Sequence, residues 1–336
     1  ALAPAAGVCT HAVFGGVRPW AGPLGKGIPA GAQPAGHWFG PGHGPGIPPG
    51  DPDPEPLPVG PARPAHGFHF FQGAPLINWL CYYPMERFLS RFTDQQICIN
   101  QEDYERARKS FHAKHVDYIP GVGIDLARIP HFSDTEIRQK KDNLGLPADQ
   151  LIILSSGEMI KRKNHETAIR AIAKLPEHYP VHYVICGHGK LNEYLHELVR
   201  TLHIEHKVTF LGYREDMLEI LQIADLFLFP SYQEGLPMSL LEAMASGLPV
   251  VCSDIRGSRD LMGPVLKELP DQKQCAGGIM IKQADNTDGY VQALQTLLNT
   301  VPELKQLGQQ NVLRSNKFSI QAVSGIMQPI YQRLLS

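Results

Sequence analysis

The sequence lacks several features that would assign it to a broad class of protein. Its 336 residues contain no apolar run of the roughly 18 residues that a membrane-spanning helix needs. It also lacks an excess of positive charge, because 31 basic residues stand against 33 acidic ones. A protein that binds nucleic acid by neutralising phosphates normally carries such an excess. The absences therefore argue against an integral membrane protein and against a nucleic-acid binder.

The six cysteines include no CxxC pair. Cys98, Cys186 and Cys252 lie in apolar, strand-like runs, which predicts reduced core residues of a cytosolic protein. The chain begins with Ala1 and shows no signal-peptide pattern, which is consistent with a fragment of a longer protein. Its mass of 37.2 kDa, with 43% hydrophobic residues, suits two packed domains.

Residues 1–64 differ in composition from the rest of the chain. They hold 15 of the 29 prolines and 14 of the 32 glycines, and only 11 positions are Leu, Ile, Val or Phe. Such a stretch buries too little apolar surface to offset its ordering entropy. Two interpretations stay open: a disordered Pro/Gly-rich arm, or a GC-rich gene read out of frame upstream of His66. Sequencing the gene again distinguishes them.

From residue 65 onward the pattern predicts an α/β protein. Residues 75–92 form an aromatic-rich helical run in which Pro84 predicts a kink or a break. Short strands are predicted at 96–100 and 115–120, around a helix at 101–111. A glycine-punctuated turn at 120–125 and a further helix near 133–143 follow.

The second half alternates regularly between apolar strands and amphipathic helices. We expect Asn164 to cap the helix near 164–175, whose apolar face includes Ala168, Ile169, Ala171, Ile172 and Leu175. This alternation predicts a parallel sheet covered on both faces, with ligands bound at the carboxyl ends of the strands. The predicted strands are 151–156, 182–187, 207–212, 225–231 and 248–253, and the predicted helices lie near 164–175, 190–203, 214–223 and 237–246.

The stretch PSYQEGLPMSLLEAMASGLPVVC (230–252) is the most informative one. A helix with Pro237 in its first turn would present the free amides of Met238, Ser239 and Leu240, which form a phosphate-binding site. Glu234 precedes that site and the Glu242 side chain leans back toward it. Two carboxylates beside a phosphate are better suited to accept hydrogen bonds from sugar hydroxyls than to bind the phosphate. The plainer alternative is that Glu234 is solvated and Glu242 only complements the helix dipole.

The whole run resembles the nucleotide-sugar signature of the family 4 retaining glycosyltransferases, which have the GT-B fold. The resemblance places Glu234 and Glu242 at the two acidic positions of the E-x7-E pattern. It implies that Glu234 contacts the transferred sugar and that Glu242 contacts the ribose of the donor nucleotide. It also implies that the loop and first turn bind the donor, namely Gly235, Leu236, Pro237, Met238, Ser239 and Leu240.

Further segments resemble the same family in the same order. SSGEMIKRKNHETAIRAI (155–172) resembles the loop after the first donor-domain strand. The resemblance implies that Lys163 contacts the donor diphosphate and that Gly157 is one of the donor-binding residues. Glu158 stands where the family commonly has an arginine, and Arg162 or Lys161 is a candidate replacement; the alternative is a solvated basic loop. Further on, the resemblance implies roles for Gly187 in a glycine turn and for Tyr213 and Arg214 beside the base.

Residues 65–94 resemble bacterial exopolysaccharide and capsule glycosyltransferases more narrowly. The resemblance implies that His66 faces the donor sugar. The alternatives are ordinary loop histidines, or a zinc pair made by His66 and His69 that lacks further spaced ligands. The aromatic side chains of 68–92 stand beside Arg87 and Arg91 as on a membrane-contacting surface, or they belong to a partly buried helix.

These resemblances imply an α/β GT-B protein with two Rossmann-like domains facing a cleft, the N-terminal domain being incomplete or scrambled. They imply transfer of a hexose or N-acetylhexosamine from a nucleotide-diphosphate sugar, most plausibly a UDP sugar, with retention. The acceptor would be a glycan or a polyprenyl-diphosphate-linked sugar at the inner face of the membrane. The expected divisions are the arm 1–64, an acceptor-side remainder 65–130, a donor domain 131–317 and a returning helix 318–336.

No metal cofactor is expected, since fixed cationic and amide donors serve the diphosphate in this family. DPDPEP (51–56) contains the DxD of metal-dependent glycosyltransferases, but it lies among alternating prolines. Two alternatives to transfer stay open. One is a remnant that binds the nucleotide sugar without catalysis. The other is a related nucleotide-sugar enzyme, such as an epimerase or a phosphorylase-like protein.

Overall fold

Two β-sheets organise the part of the chain that the structure describes. The computed structural model describes residues 62–65 and 67–335, and these belong to one compact unit. The predictions for residues 1–61 and for His66 lie outside the described residues. A three-stranded sheet comes first along the chain, and an eight-stranded sheet follows.

The three-stranded sheet is parallel and has the order β1-β2-β3. Its first strand begins at Ala62, so residues 62–64 of the stretch that the sequence analysis set apart by composition belong to this sheet. The buried strand β2 supplies the backbone partners, and the Gln96 side chain also donates to the Arg63 carbonyl at 3.0 Å. Pro64 is tolerated because β1 lies at one end of this sheet. The strands are β1 (Ala62–Ala65), β2 (Gln95–Cys98) and β3 (His115–Tyr118).

Two helices accompany this sheet, α1 (Leu76–Leu89) and α2 (Gln101–Ser110). Helix α1 continues through Pro84, so the prediction of a break at this residue is wrong. The helix is largely exposed, and water can therefore satisfy the carbonyl that the proline leaves without a donor. Helix α2 begins after Asn100, whose side chain accepts a hydrogen bond from the Asp103 amide at 2.9 Å.

The eight-stranded sheet has the order β6-β5-β4-β7-β8-β11-β10-β9. The five predicted strands are confirmed within two residues at each end, and they pair in parallel. The sequence analysis missed the last three strands, two of which are polar and form an antiparallel hairpin. The strands are β4 (Leu151–Ser156), β5 (Val181–Cys186), β6 (Val208–Gly212), β7 (Leu226–Phe229), β8 (Val250–Ser253), β9 (Val265–Glu268), β10 (Gln272–Cys275) and β11 (Gly278–Ile281).

Helices cover both faces of this sheet and enclose two apolar cores. Helix α4 buries Ala168, Ile169 and Ile172 as predicted, and Phe227 and Leu240 lie in the core on the other face. Because helices cover both faces of the sheet, ligands can bind only in the loops at the ends of the strands. The helices are α3 (Asp134–Asn143), α4 (His165–Lys174), α5 (Asn192–Thr201), α6 (Met217–Gln222), α7 (Met238–Ala245), α8 (Arg256–Met262) and α9 (Thr287–Leu298).

The cap predicted at Asn164 is wrong in its mechanism. Asn164 does precede α4, but it has φ = 55° and its side chain makes no capping hydrogen bond. The side-chain amide instead donates to the carbonyls of Pro230 at 3.0 Å and Ala284 at 2.7 Å. Asn164 therefore connects the loops after three strands, because asparagine tolerates the left-handed conformation that this bridge requires.

Two more helices complete the chain, α10 (Val301–Ser315) and α11 (Ile320–Leu335). Ile330 of α11 packs against Ile97, Ile99 and Ile119 of the three-stranded sheet region. The final helix thus covers the first sheet, although more than two hundred residues of sequence separate them.

The prediction that Cys98, Cys186 and Cys252 are unpaired core residues is confirmed, because all three are buried and free. Burial raises the pKa of the Cys98 and Cys186 thiols to about 12. Across residues 67–335, no helix has both the length and the apolar character that crossing a membrane requires.

Candidate functional site

The helix after β7 begins at the strand edge where parallel sheets bind ligands. Helix α7 starts at Met238 with Pro237 at its N-cap position, one residue later than predicted. Its first helical bond runs from the Leu241 amide to the Pro237 carbonyl at 3.1 Å. The amides of residues 238–240 therefore have no acceptor within the helix, and the helix dipole makes this end positive. Leu240 can offer only its amide, because its side chain is fully buried.

Glu234 lies in the loop before this helix and is almost buried, with 8% of its surface exposed. The alternative that it is simply solvated is therefore wrong. Its carboxylate pairs with Lys163 (Nζ to Oε1, 2.8 Å) and with Arg162 (Nη1 to Oε2, 2.9 Å). The two basic residues that the sequence analysis assigned to a diphosphate thus contact the predicted sugar-binding acid in this structure.

The Lys163 side chain passes close to Gly157, which in turn lies against Gly187. A Cβ atom on Gly157 would lie 3.2 Å from Lys163 Cδ, and the Lys163 ammonium lies 5.3 Å from the centre of the Phe229 ring. A Cβ atom on Gly187 would lie 1.9 Å from the Gly157 carbonyl oxygen. Gly187 is therefore packed against Gly157, Gly157 against Lys163, and Lys163 contacts Glu234.

The other candidates in this basic loop, Arg162 included, are exposed, and they differ in their contacts. Glu158 and Lys161 are exposed. Arg162 is tied to the following loop, because its Nη1 donates to the Gln233 carbonyl at 3.0 Å and its own carbonyl accepts from the Tyr232 amide at 2.9 Å. Of the two predicted replacements for the missing arginine, Arg162 is the one that contacts the Glu234 loop.

Tyr213 and Arg214 follow β6 at the same edge of the sheet. Tyr213 is 68% exposed. Arg214 forms a bidentate ion pair with Asp216 at 2.8 and 2.7 Å, and Lys140 contacts the same carboxylate at 2.8 Å. These hydrogen bonds hold the pKa of Asp216 well below its usual range. In this structure Arg214 is therefore joined to Asp216 and Lys140, separately from the Glu234 cluster.

Glu242 lies on α7, beyond the first turn, and is half-buried. Burial raises the pKa of Glu242, and the positive charge of Arg128 opposes that rise. The dipole effect is concentrated in the first turn, so complementing the dipole explains little of this position.

The turn at 120–125 supports the Glu234 loop from another direction. Gly121 has φ = 76°, and a Cβ atom there would lie 2.3 Å from Leu236 Cδ2. Leu236 itself packs into two apolar clusters. The predicted donor residue Leu236 is partly buried and therefore packs against the rest of the protein with part of its side chain.

A cavity of about 300 Å³ opens beside Glu234. It extends toward β8 and β11, whose following residues contribute Asp254 and Lys282. Its wall contains neither Lys163 nor Tyr213, so it lies beyond the predicted diphosphate and base contacts. The lining residues are Phe71, Gln72, Gly73, Glu102, Tyr232, Gln233, Glu234, Asp254, Ile255, Arg256, Arg259, Lys282 and Ala284.

The predicted role of His66 falls outside the described residues. His69 stacks on Tyr82 of α1, with the ring centroids 4.7 Å apart, and its carbonyl accepts from Asn78 at 2.9 Å. Among residues 62–65 and 67–335, no group of three histidine, cysteine or acidic residues could hold a metal ion.

Arg256, at the start of α8, is a site residue that the sequence analysis missed. Its side chain is 3% exposed and pairs with Asp103 of α2 at 2.8 Å. Its Nε donates to the Glu234 carbonyl at 3.0 Å, and its Nη2 donates to the Phe68 carbonyl at 2.9 Å. The only local signal is an arginine that directly follows a strand end; its distant partners leave no pattern in the sequence.

The family of glycosyl transferases group 1 matches residues 136–312, which is more than half of the chain. The chain belongs to this family. The match begins in α3, continues through the eight-stranded sheet and ends in α10, so it contains the whole Glu234 cluster.

Curated relatives of this group 1 glycosyltransferase include two bacterial proteins. EpsD of Bacillus subtilis, which is named as a glycosyltransferase, is 32% identical over 76% of this chain and 65% of its own length. The UDP-Gal:alpha-D-GlcNAc-diphosphoundecaprenol alpha-1,3-galactosyltransferase of Escherichia coli is 29% identical over 59% of this chain and 52% of its own. The chain thus spans less than two thirds of the length of each.

A solved structure of Anabaena HepE with UDP-glucose has the same fold as this group 1 glycosyltransferase. Its TM-score is 0.66 at 18% identity, covering 80% of this chain and 71% of the HepE chain. The GT-B fold expected from the sequence is therefore confirmed. Within it, Gly157, Arg162, Lys163, Gly187 and Glu234 lie together, whereas Arg214 and Glu242 have other neighbours.

Proposed function

We propose that this chain transfers a hexose or N-acetylhexosamine from a UDP sugar to a glycan or polyprenyl-diphosphate-linked acceptor, with retention, in exopolysaccharide or capsule biosynthesis. One observation carries the proposal: a nearly buried Glu234–Lys163 pair beside the free amides of α7, at the carboxyl edge of a parallel sheet. The HepE structure contains UDP-glucose, and the Escherichia coli relative is named for a UDP-galactose donor and a diphosphoundecaprenol-linked acceptor. These names support the choice of donor and acceptor class.

The donor diphosphate would bind between Lys163 and the start of α7. The amides of Met238, Ser239 and Leu240 suit phosphate oxygens, because they lack partners within the helix. Lys163 adds a full positive charge that is 14% exposed. Charge stabilisation is strong where water is largely excluded, so both groups stabilise the diphosphate as it leaves.

The two acids would accept hydrogen bonds from sugar hydroxyls on either side of that diphosphate. Glu234 would face the transferred sugar and Glu242 the ribose. His66 would face the same sugar from the preceding segment, while Tyr213 and Arg214 would border the base. The cavity beside Glu234 offers polar and aromatic groups, including Phe71 and Tyr232, to the sugars that enter the site.

In the reaction, the bond between the anomeric carbon and the diphosphate breaks and an acceptor hydroxyl forms the new bond on the same face. The hydroxyl proton passes to the diphosphate oxygen that takes the electrons of the broken bond, and UDP leaves. Lys163 and the helix amides stabilise the growing negative charge without requiring a metal ion. Retention follows from the family 4 resemblance, and no covalent role is assigned to Glu234.

Helix α1 supports action at the cytoplasmic face of a membrane. It buries none of its residues, and large apolar side chains stay exposed, among them Leu76 (72%), Leu80 (65%) and Phe88 (55%). Arg87 and Arg91 lie beside Phe88 around an open groove. Exposed apolar groups flanked by arginines suit the interface of an anionic bilayer, where a lipid-linked acceptor resides.

The test is transfer from UDP-glucose, UDP-galactose and UDP-N-acetylglucosamine to undecaprenyl-diphosphate-linked N-acetylglucosamine. Glu234→Ala should abolish transfer while the helix content by circular dichroism stays unchanged. Glu177→Gln is the control, since Glu177 also pairs with a lysine, Lys207, but lies outside the site. A Glu234→Ala variant with a normal rate would contradict the assignment.

The same assay separates the alternatives. UDP binding without transfer by the wild-type chain would support a non-catalytic remnant. Turnover of the sugar nucleotide without acceptor, with a change in the sugar itself or consumption of phosphate, would support an epimerase or a phosphorylase-like enzyme.

A further inference from the structure

A buried ion pair joins the Glu234 loop to the first part of the chain. The Arg256 side chain is 3% exposed and that of Asp103 is 0% exposed. Asp103 also accepts from the Asn100 side chain at 2.7 Å and from the Phe68 amide at 3.0 Å. Its carboxylate is therefore fully engaged inside the protein, and Arg256 is the cation that compensates it.

The guanidinium of Arg256 contacts three partners that lie in different directions. It pairs with Asp103, donates to the Phe68 carbonyl and donates through Nε to the Glu234 carbonyl at 3.0 Å. It also lies 4.9 Å from the centre of the Phe71 ring. Only the planar fork of arginine provides donors in these separate directions, so lysine cannot replace it.

The backbone next to Glu234 lies so close to neighbouring segments that only glycine fits at two of the contact positions. A Cβ atom on Gly257 would lie 2.3 Å from the Gly235 carbonyl oxygen. A Cβ atom on Gly67 would lie 3.3 Å from the Gly235 Cα and 2.8 Å from Arg256 Nη2. The loop after Glu234 is therefore held between the start of α8 and the segment that leads to Phe68.

We propose that Arg256, held by Asp103, is a positioning residue that fixes the backbone of Glu234 so that its carboxylate meets the donor sugar. This inference rests on the proposed function, which assigns the sugar contact to Glu234. Glu234 is held at two ends, at its carbonyl by Arg256 and at its carboxylate by Lys163 and Arg162. When the diphosphate attracts Lys163, the carbonyl contact stays in place and keeps the acid aligned.

The test compares Arg256→Lys, Asp103→Asn and Arg256→Ala with Arg314→Lys. Arg314 is a matched control, since it also donates to backbone carbonyls of α8, at Asp260 and Leu261. Arg256→Lys should lower kcat about 100-fold, because small displacements of a catalytic group have effects of that order. The Kd for UDP should stay within twofold, and Arg314→Lys should keep kcat. Guanidinium ions, but not ammonium ions at equal ionic strength, should restore Arg256→Ala at least tenfold.

Amide hydrogen exchange supplies a readout that does not depend on activity. Exchange in residues 230–237 should accelerate in Arg256→Lys and in Asp103→Asn, while the buried strand at 181–186 stays protected. Arg314→Lys should leave residues 230–237 unchanged. If Arg256→Ala fails to fold, the lysine and asparagine variants carry the test.

Two results would overturn the positioning role. One is a parallel loss of kcat and UDP affinity, equal in Arg256→Lys and Arg314→Lys. The other is unchanged exchange in residues 230–237. Failure of the proposed function gives a different result, since the wild-type protein would then transfer no sugar, whatever the exchange pattern.

Discussion

The ion pair between Lys163 and Glu234 allows a quantitative test of the site. The side chains are 14% and 10% exposed, and the charged atoms are 2.8 Å apart. Exposed pairs contribute about 0.2–1 kcal/mol, whereas breaking a fully buried pair costs about 3–5 kcal/mol. Arg162 stays 2.9 Å from the other carboxylate oxygen. We therefore expect an intermediate coupling energy of about 1–2 kcal/mol between Lys163 and Glu234.

UDP should reduce this coupling, because the diphosphate competes with Glu234 for the Lys163 ammonium. The linkage is reciprocal, so removing the charge of Glu234 should strengthen UDP binding. If the whole coupling is released, Glu234→Gln binds UDP up to about tenfold more tightly, since about 1.4 kcal/mol corresponds to a factor of ten. Lys163→Met should weaken UDP binding, because it removes the cation altogether.

The assay is a double-mutant cycle of Lys163→Met and Glu234→Gln, measured by urea unfolding with and without saturating UDP. Calorimetry gives the UDP affinity of each variant. The pair Lys207–Glu177, 2.6 Å apart, is the control, and its coupling should not respond to UDP. Equal coupling with and without UDP, together with weaker UDP binding by Glu234→Gln, would refute the assignment of Lys163 to the diphosphate.

Three further predictions concern other parts of the molecule. Glu242→Ala should weaken UDP binding at least tenfold by calorimetry, since a hydrogen bond to a charged group contributes about 1.5–3 kcal/mol and about 1.4 kcal/mol is a factor of ten; unchanged affinity counts against the ribose contact. Burial raises the pKa of Asp260 to about 6, so the free energy of unfolding should fall as pH rises from about 4 to about 6. Asp260→Asn should remove that loss and raise the free energy of unfolding in urea by about 2–3 kcal/mol at pH 8, and by less near pH 4. Equal gains at both pH values would exclude ionisation of Asp260 as the cause. Phe88→Glu should reduce cosedimentation with phosphatidylglycerol vesicles at least tenfold. Leu266→Glu should not, although Leu266 on β9 is 68% exposed and Phe88 is 55% exposed; equal losses would argue against a membrane surface on α1.

The sequence predicts the eight-stranded sheet to the extent that its strands are apolar. LIILSS and DLFLFPS are continuous apolar runs because parallel strands are buried on both faces. The strands VLKE and QKQC lack that signal, since they form a hairpin at the end of the sheet and expose polar side chains. At Pro84 the sequence predicts a break that the structure lacks. Helix α1 is exposed there, so water can satisfy the backbone carbonyl that the proline leaves without a donor.

The candidate site is predictable where its residues follow strand ends, as Gly157, Gly187 and Glu234 do. Their contacts are less predictable. The sequence analysis assigned Lys163 and Arg162 to a ligand, yet opposite charges at one strand edge pair with each other when no ligand separates them. Arg256 is harder still, because 153 positions separate it from Asp103 and no local pattern joins them.

Exposure divides the charges around Glu234 into a fixed set and an exchangeable set. Arg256 and Asp103 are almost completely buried, so neither can change partner without leaving an unpaired charge inside the protein. Lys163 and Arg162 are 14% and 43% exposed, and moving Lys163 from the carboxylate to an incoming anion costs the coupling energy of about 1–2 kcal/mol expected above. Glu234 joins the two sets, its carbonyl bound to the first and its carboxylate to the second. Under the proposed function, a donor diphosphate would therefore rearrange these cations while the backbone of Glu234 keeps its place.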